Sequence, residues 1–334
     1  MPNESPKDVK KAFEVRSSYE DPKKHFVRVN GWLPAARMRL KKNRRTHLRY
    51  FTLCGQRAID VLHLRREGLL RHDGRGYPEL VFCEEDRNTY TQIDRLLRVY
   101  KRGFLCPLEK IADEPEFESV FPFDIINLDL TRSCFPKREP PTSSTIKSIA
   151  RMIESQKGIN FDLFITFRAE SAAENKEAIQ ILRRNMEQNF KRNPELEDVF
   201  LKVTHAEPAQ LVSQDYVSFI MKCFPKLIIR YGYDNDYLVH CDQEYKYKRF
   251  PPWRKRYFIL KFLFDFDADR LKEARTATDD IDQRQSRLER EQGLFSASIK
   301  DSIEMNAVDV DASLNTEMER TLERDLSDLL GFRV

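Results

Sequence analysis

Two stretches, FDIINLDL (Phe123–Leu130) and FDLFITF (Phe161–Phe167), limit the fold most strongly, because each is apolar through its centre instead of alternating. That pattern belongs to strands covered on both faces, as parallel strands are when helices flank the sheet. Around them strand-like and helix-like segments take turns. RYFTLC (Arg49–Cys54) reads as a first strand, and Gln56–Leu70 carries a helical apolar stripe. ELVFCE (Glu79–Glu84) is a second strand, followed by a helix over DRNTYTQIDRLLRVYK that Asp86 is suited to cap. A short third strand falls in GFLCPLEKI, FDIINLDL is the fourth, SSTIKSIARMIESQ is a helix, and FDLFITF is the fifth strand. Charged amphipathic helices over 171–192 and 208–224 come next. DYLVHCDQEYKY and RYFILKFLFDF then read as two long strands, whose connector KRFPPWRK carries prolines that forbid a tight hairpin but allow an antiparallel pair. The expected fold is α/β, a doubly wound and mostly parallel sheet with a terminal antiparallel strand pair and a charged helical C-terminal extension. A ligand crevice is expected at the carboxyl ends of its strands.

The 334 residues, 40% of them hydrophobic, suffice for a large core. They divide into a basic N-terminal arm (1–44), an α/β domain (45–266) and a charged, partly helical tail (267–334). The tail holds 17 Asp/Glu against 10 Lys/Arg, so the chain's net charge of +4 splits into −7 for the tail and +11 for the rest. A basic body suits a polyanionic partner, and an acidic tail suits shielding of the same surface. No run reaches the roughly 18–20 apolar residues of a membrane helix, and the amino terminus lacks an apolar signal core, so the expected location is cytoplasmic and no membrane is involved. Six scattered cysteines without a CxxC pair read as reduced, buried thiols, and the six histidines show no ligand spacing, so no metal is expected.

Two constellations carry chemistry. The fourth strand ends in Asp129, Leu130, Thr131 and Arg132, which sets a carboxylate, a hydroxyl and a guanidinium at its carboxyl tip. An arginine there suits a phosphate or carboxylate, while the plainer alternative is that Arg132 pairs with Asp129 and Thr131 and Ser133 cap the loop. The second constellation is basic. KYKRFPPWRKRYF (Lys246–Phe258) interleaves Lys248, Arg249, Arg254 and Lys255 with Trp253 and other aromatics, a mix used for single-stranded nucleic acid, and RMRLKKNRRTHLR contributes Arg44 and Arg45. Solvated strand ends are the alternative for either patch alone. GxSxG and Walker loops are absent, and His63, near Asp60 in the first helix, reads as surface or core filler, which argues against a serine hydrolase or P-loop enzyme.

Over about residues 45–266, the order of elements and the acids at strand tips resemble the class I methyltransferases that use S-adenosylmethionine. The strand tips look most like the tRNA guanine dimethyltransferase branch and its amino-methylating relatives. The resemblance implies a Rossmann-like domain with S-adenosyl-L-methionine as cofactor. In that family a glycine-bearing turn after the first strand lets the backbone approach the cofactor; Cys54 and Gly55 stand there, with one glycine where the family usually has two or three. An acid at the second strand's tip takes the ribose hydroxyls, and Glu84 has that position, with Asp86 left to cap the next helix. An Asp-Pro-Phe-Gly or similar sequence ends the fourth strand and orients the acceptor amine. Here Asp129 keeps the acid, Leu130 replaces the proline, and Thr131-Arg132-Ser133 replaces the stacking aromatic. The implied function is methyl transfer to nucleic acid by Asp129, Thr131 and Arg132. The alternative is a catalytically degenerate subunit of that fold, a pseudoenzyme binding nucleic acid or a protein partner, with amphipathic helix 314–330 as the docking element.

Overall fold

The computed structural model describes residues 21–55, 57–71, 79–97, 101–130, 132–137, 139, 144–171, 174–248, 256–268 and 281–330, with 281–288 as backbone only. One eight-stranded sheet organises them, in the order β3-β2-β1-β4-β5-β7-β6-β8. Its strands are β1 (Tyr50–Thr52), β2 (Leu80–Cys83), β3 (Lys101–Phe104), β4 (Ile125–Asp129), β5 (Phe161–Arg168), β6 (Tyr237–Lys248), β7 (Arg256–Phe266) and the two-residue β8 (Val308–Asp309). Strands β1 to β5 pair in parallel, β7 runs antiparallel to β5, and β6 runs antiparallel to β7. The result is an α/β fold whose sheet is mostly parallel and carries an antiparallel pair, as the sequence led us to expect.

The unbroken apolar character of β4 and β5 has its cause in the two layers around them. Ile126, Leu128, Leu163 and Ile165 pack into one layer, and Ile125 and Phe164 into the opposite one. The first layer holds α5 (Ser144–Glu154), α6 (Lys176–Arg192), α7 (Pro194–Thr204), α8 (Pro208–Gln214), α9 (Tyr216–Tyr233) and α10 (Ile281–Glu304). The second holds α1 (Pro22–Val27), α2 (Leu33–Asn43), α3 (Ile59–Arg66) and α4 (Arg87–Leu96). Asp86 caps α4 by accepting the Thr89 N–H at 2.8 Å, the role anticipated for it. The single helix expected over 208–224 is two, because Asp215 caps a new start by accepting the Ser218 N–H at 3.2 Å. Helix α7 lies where the sequence reading assigned no element, and Asn193 caps it.

Residues 22–43, which the sequence assigns to a basic arm, form helical segments joined by a π-helical turn at Arg28–Trp32, and they bury Val27, Trp32, Leu33, Ala35, Ala36 and Leu40 against the sheet. Gly31 makes this approach possible: a Cβ there would stand 2.8 Å from the Tyr245 hydroxyl. The described part of the tail is also packed. Helix α10 buries Ile299 and Ile303 in the main core, and α12 (Thr316–Leu329) buries Leu322 and Leu326 against α1 and α3. Between them β8 and α11 (Val310–Ser313) run along β6, with β8 as the edge of the sheet. No helix among the described residues is long and apolar enough to cross a membrane.

Candidate functional site

Strand order reverses between β1 and β4, so the loops leaving their carboxyl ends diverge and open a crevice. A cavity of about 210 Å³ lies there, and it brings together Cys54, Gly55, Glu84, Asp129 and Arg132. The cofactor and strand-tip positions named from sequence thus line one space, except Thr131, which lies outside the described residues. Cys54 is buried, and burial pushes its thiol up well above the ordinary range. Glu84 is half-buried, and desolvation raises its carboxyl. One Glu84 oxygen accepts the Asp86 N–H at 2.9 Å, while the Asp86 side chain caps α4.

Asp129 is engaged from an unexpected direction. Lys24, on α1 and 5% exposed, donates its ammonium to the Asp129 carboxylate. Burial lowers the Lys24 pKa, and the Asp129 charge opposes that shift. Arg132 turns the other way, donating to Glu109 and standing 3.5 Å from Glu139, so the Asp129–Arg132 pairing weighed from the sequence does not form. Ser133 does act locally: its hydroxyl accepts the Phe135 N–H at 2.9 Å and donates to the buried Glu174. Burial lifts the Glu174 carboxyl to about 7.

Beside Asp129 a narrow space is lined by Arg28, Trp32, Gly55, Asp60 and Asn127, of which only Gly55 was foreseen as a site residue. Asp60 Oδ2 accepts the hydroxyls of Tyr50 and Thr52, each at 2.7 Å, and the Asn127 amide at 3.2 Å, which ties α3 to the tips of β1 and β4. The other groups are unmatched. Arg28 Nε and Nη1, the Trp32 indole N–H and Asn127 Oδ1 are buried without hydrogen-bond partners. Unpartnered buried polar atoms are costly, on the order of 1–3 kcal/mol each, and the space these line is only about 10 Å³. A sequence signal for them existed. Lys24, Arg28 and Trp32 recur every fourth position, which aligns them on one helical face.

A second polar cluster joins elements far apart in sequence. His25 on α1 and His63 on α3 are buried with rings 5.3 Å apart, and Asp325 on α12 accepts from His25 Nε2 at 2.5 Å. These three could in principle hold a metal ion. However, Arg66 donates to both Asp325 oxygens at 2.7 and 3.0 Å and to His63 Nδ1 at 3.1 Å, so a guanidinium already occupies the cation's position. The cluster acts as a clasp. His63 is therefore a buried clasp residue, and its partner lies too far along the chain for local spacing to reveal.

The two basic patches lie at opposite ends of the sheet. Arg45 stands 3.4 Å from Asp124, the fully buried acid just before β4, which also binds the Asn43 amide at 2.6 Å and the Arg49 N–H at 2.8 Å. Arg44 is exposed beside it, at the carboxyl end of α2. Lys248 and Arg256 are exposed at the other end, the rim that carries the crevice. Arg249, Trp253, Arg254 and Lys255 lie outside the described residues. Tyr247 and Tyr257, counted among the stacking aromatics of this patch, are buried and stack on each other at 5.7 Å, because alternate residues of β6 and β7 face the α1 layer. Acids of the tail meet this rim: Asp309 stands 3.3 Å from Lys246, and Asp311 pairs with Lys23 at 2.5 Å and accepts the Lys248 N–H at 2.7 Å.

Among solved structures, the N-methyltransferase NodS from Bradyrhizobium japonicum WM9 is 9% identical to this chain, with a TM-score of 0.35 over 73% of this chain and 98% of that one. A likeness of that size transfers neither fold nor activity. No curated protein matches the sequence. A family model does, across residues 109–330, from the turn after β3 through α12. That span takes in most of the sheet and the packed tail, and the chain belongs to the PP_RS20740-like family.

Proposed function

We propose that the chain binds S-adenosyl-L-methionine in the crevice between β1 and β4 and serves as a methyltransferase acting on nucleic acid. The observation that carries this reading is the convergence of complementary groups along one path. Glu84 offers a carboxylate for a ribose diol at one end. At the other, the unpartnered Arg28 and Trp32 donors suit a carboxylate. Such a path fits an adenosyl amino acid better than a bare nucleotide. Gly55 sits between the two ends and presents no Cβ to the ligand.

The cofactor, when bound, supplies an activated methyl group, so the protein's task is alignment. Glu84 anchors the ribose, Arg28 the carboxylate, and Asp129 holds the acceptor amine toward the methyl. The cavity of about 210 Å³ is below the about 300–1,000 Å³ usual for ligand sites. The space beside Arg28 and Trp32 holds only about 10 Å³, so binding requires both to widen. Nucleic acid is the acceptor class favoured by a body of net charge +11 and by Lys248 and Arg256 on the crevice rim.

Titration calorimetry with S-adenosylmethionine and S-adenosylhomocysteine tests the cofactor. The expected dissociation constant is micromolar, weakened about tenfold or more, roughly 1.4 kcal/mol, by Glu84→Ala and separately by Arg28→Met. Folded wild-type protein that gives no heat with either compound overturns the reading. Transfer of labelled methyl to single-stranded RNA or DNA tests the acceptor. Cofactor binding without transfer to any nucleic acid would leave a binding subunit of this fold in its place.

A further inference from the structure

Two of the six cysteines meet in the floor of the crevice. Cys83 ends β2 and Cys106 follows β3, and their sulfurs stand 3.9 Å apart while both line the cavity beside Glu84. Each is mostly covered, at 3% and 7% exposure, yet the cavity wall they form opens to solvent through the crevice mouth. The Cys83 thiol donates to the Cys106 carbonyl at 2.8 Å, which fixes the Cys83 side chain toward its neighbour. The pairing was invisible in sequence, where 22 residues separate the two. Parallel pairing of β2 with β3 brings them together, Cys83 lying opposite Phe104.

We propose that Cys83 and Cys106 form a reversible disulfide on exposure to a peroxide, and that this bond closes the crevice to the adenosyl ligand. The closing half of this proposal rests on the function proposed above; the thiol chemistry does not. Cys106 is the better nucleophile of the pair. It is the more exposed of the two, and the Cys83 proton is committed to the Cys106 carbonyl, which leaves the Cys106 sulfur free to meet a peroxide in the cavity. The Cys106 thiolate attacks the peroxide O–O bond, giving a sulfenic acid and releasing hydroxide. The Cys83 sulfur then attacks the sulfenyl sulfur, an S–S bond forms, the S–O bond breaks, and the departing hydroxide takes the Cys83 proton as water. Two thiols lose two electrons and two protons, and hydrogen peroxide becomes two molecules of water. The sulfurs must draw from 3.9 Å to a bond of about 2.05 Å, which shifts the floor next to Glu84 and the ribose position.

The test treats full-length protein with stoichiometric hydrogen peroxide, blocks remaining thiols and maps peptides by mass spectrometry. The expected product is a peptide pair joined through Cys83 and Cys106, lost on treatment with dithiothreitol. Calorimetry on the same samples should show S-adenosylhomocysteine binding weakened about tenfold or more by oxidation and restored by reduction. In Cys83→Ser, peroxide should yield no joined pair and should leave S-adenosylhomocysteine binding at its untreated strength once dithiothreitol has reduced the Cys106 sulfenic acid. Folded protein whose Cys83 and Cys106 both remain alkylatable, or whose Cys106 goes to sulfinic acid without the crosslink, overturns the redox pair. A crosslink that leaves affinity unchanged overturns the gating. Reduced protein that binds no adenosyl compound strikes the function proposed above and the gating with it, while the crosslink stands or falls on the mass measurement alone.

Discussion

Arg39 belongs to one of the most basic stretches of the chain and is nevertheless 2% exposed. It donates to the equally buried Asp162, with Nε at 3.1 Å, and its Nη2 reaches the Phe161 carbonyl at 3.3 Å, joining α2 to the start of β5. Burial raises the Asp162 carboxyl against the pull of Arg39. Removing one partner leaves an uncompensated charge in the core, so Arg39→Met should cost about 3–5 kcal/mol, and adding Asp162→Leu should recover much of it. Denaturant unfolding of the single and double variants measures this directly. A nucleic-acid contact, by contrast, would tolerate Arg39→Met with no loss of stability. The lesson about legibility is specific. Glu84, Gly55 and Asp129 were readable because each follows a recognisable strand by a fixed step. Arg39, Lys24 and Arg28 were not, because a count of charges along a stretch says nothing about which of them an acid elsewhere will take.

Among the elements, α12 was recognisable in advance as an amphipathic helix, but what it covers was not. Its leucines rest on α1 and α3, and Asp325 closes the clasp with His25 and Arg66. Desolvation holds the His25 imidazole down at about 4 in the folded protein, against an ordinary value near 6.5, and His63 shifts in the same direction. The unfolded chain therefore binds more protons than the folded one between those values. Stability falls as the pH drops from about 6.5 toward 4, by at most about 1.4 kcal/mol per pH unit for one such group. Asp325 is held down at about 2 with Arg66 and His25 beside it, so its contribution persists through this window and is lost only in stronger acid. The melting temperature at pH 5 should lie below that at pH 7 by about 2–6 °C, and His25→Gln should flatten the difference. Asp325→Asn should release α12 to limited proteolysis at neutral pH, with a stability loss of about 1–2 kcal/mol once solvent screening is allowed for. Protection of α12 that is identical in wild type and Asp325→Asn would show that its leucines alone hold the helix.

For the whole molecule, the division of charge has a spatial meaning. Asp309 and Asp311 stand against Lys246, Lys23 and the backbone of Lys248, so acids of the tail already occupy part of the basic rim. Replacing both by asparagine should raise affinity for single-stranded nucleic acid about three- to tenfold and steepen its salt dependence. Fluorescence anisotropy across a salt series reads both effects, and unchanged affinity would mean that the rim is not the nucleic-acid surface. The mostly parallel sheet and its antiparallel pair were legible because parallel strands leave a strong apolar signature and because crossovers have one hand. Contacts between the first helices and the tail were not, since they join residues separated by almost the whole chain and no local pattern records them.

The clasp also bears on when this protein can become itself. His25 and Asp325 are 300 positions apart, so during synthesis α1 waits for residue 325 to leave the ribosome before it is fastened. Until then the buried charges of Lys24 and Arg28 have a floor but no fastening on their outer side. A ribosome stalled before residue 325 should carry a formed sheet with an open, easily cleaved α1, and emergence of α12 should shut it.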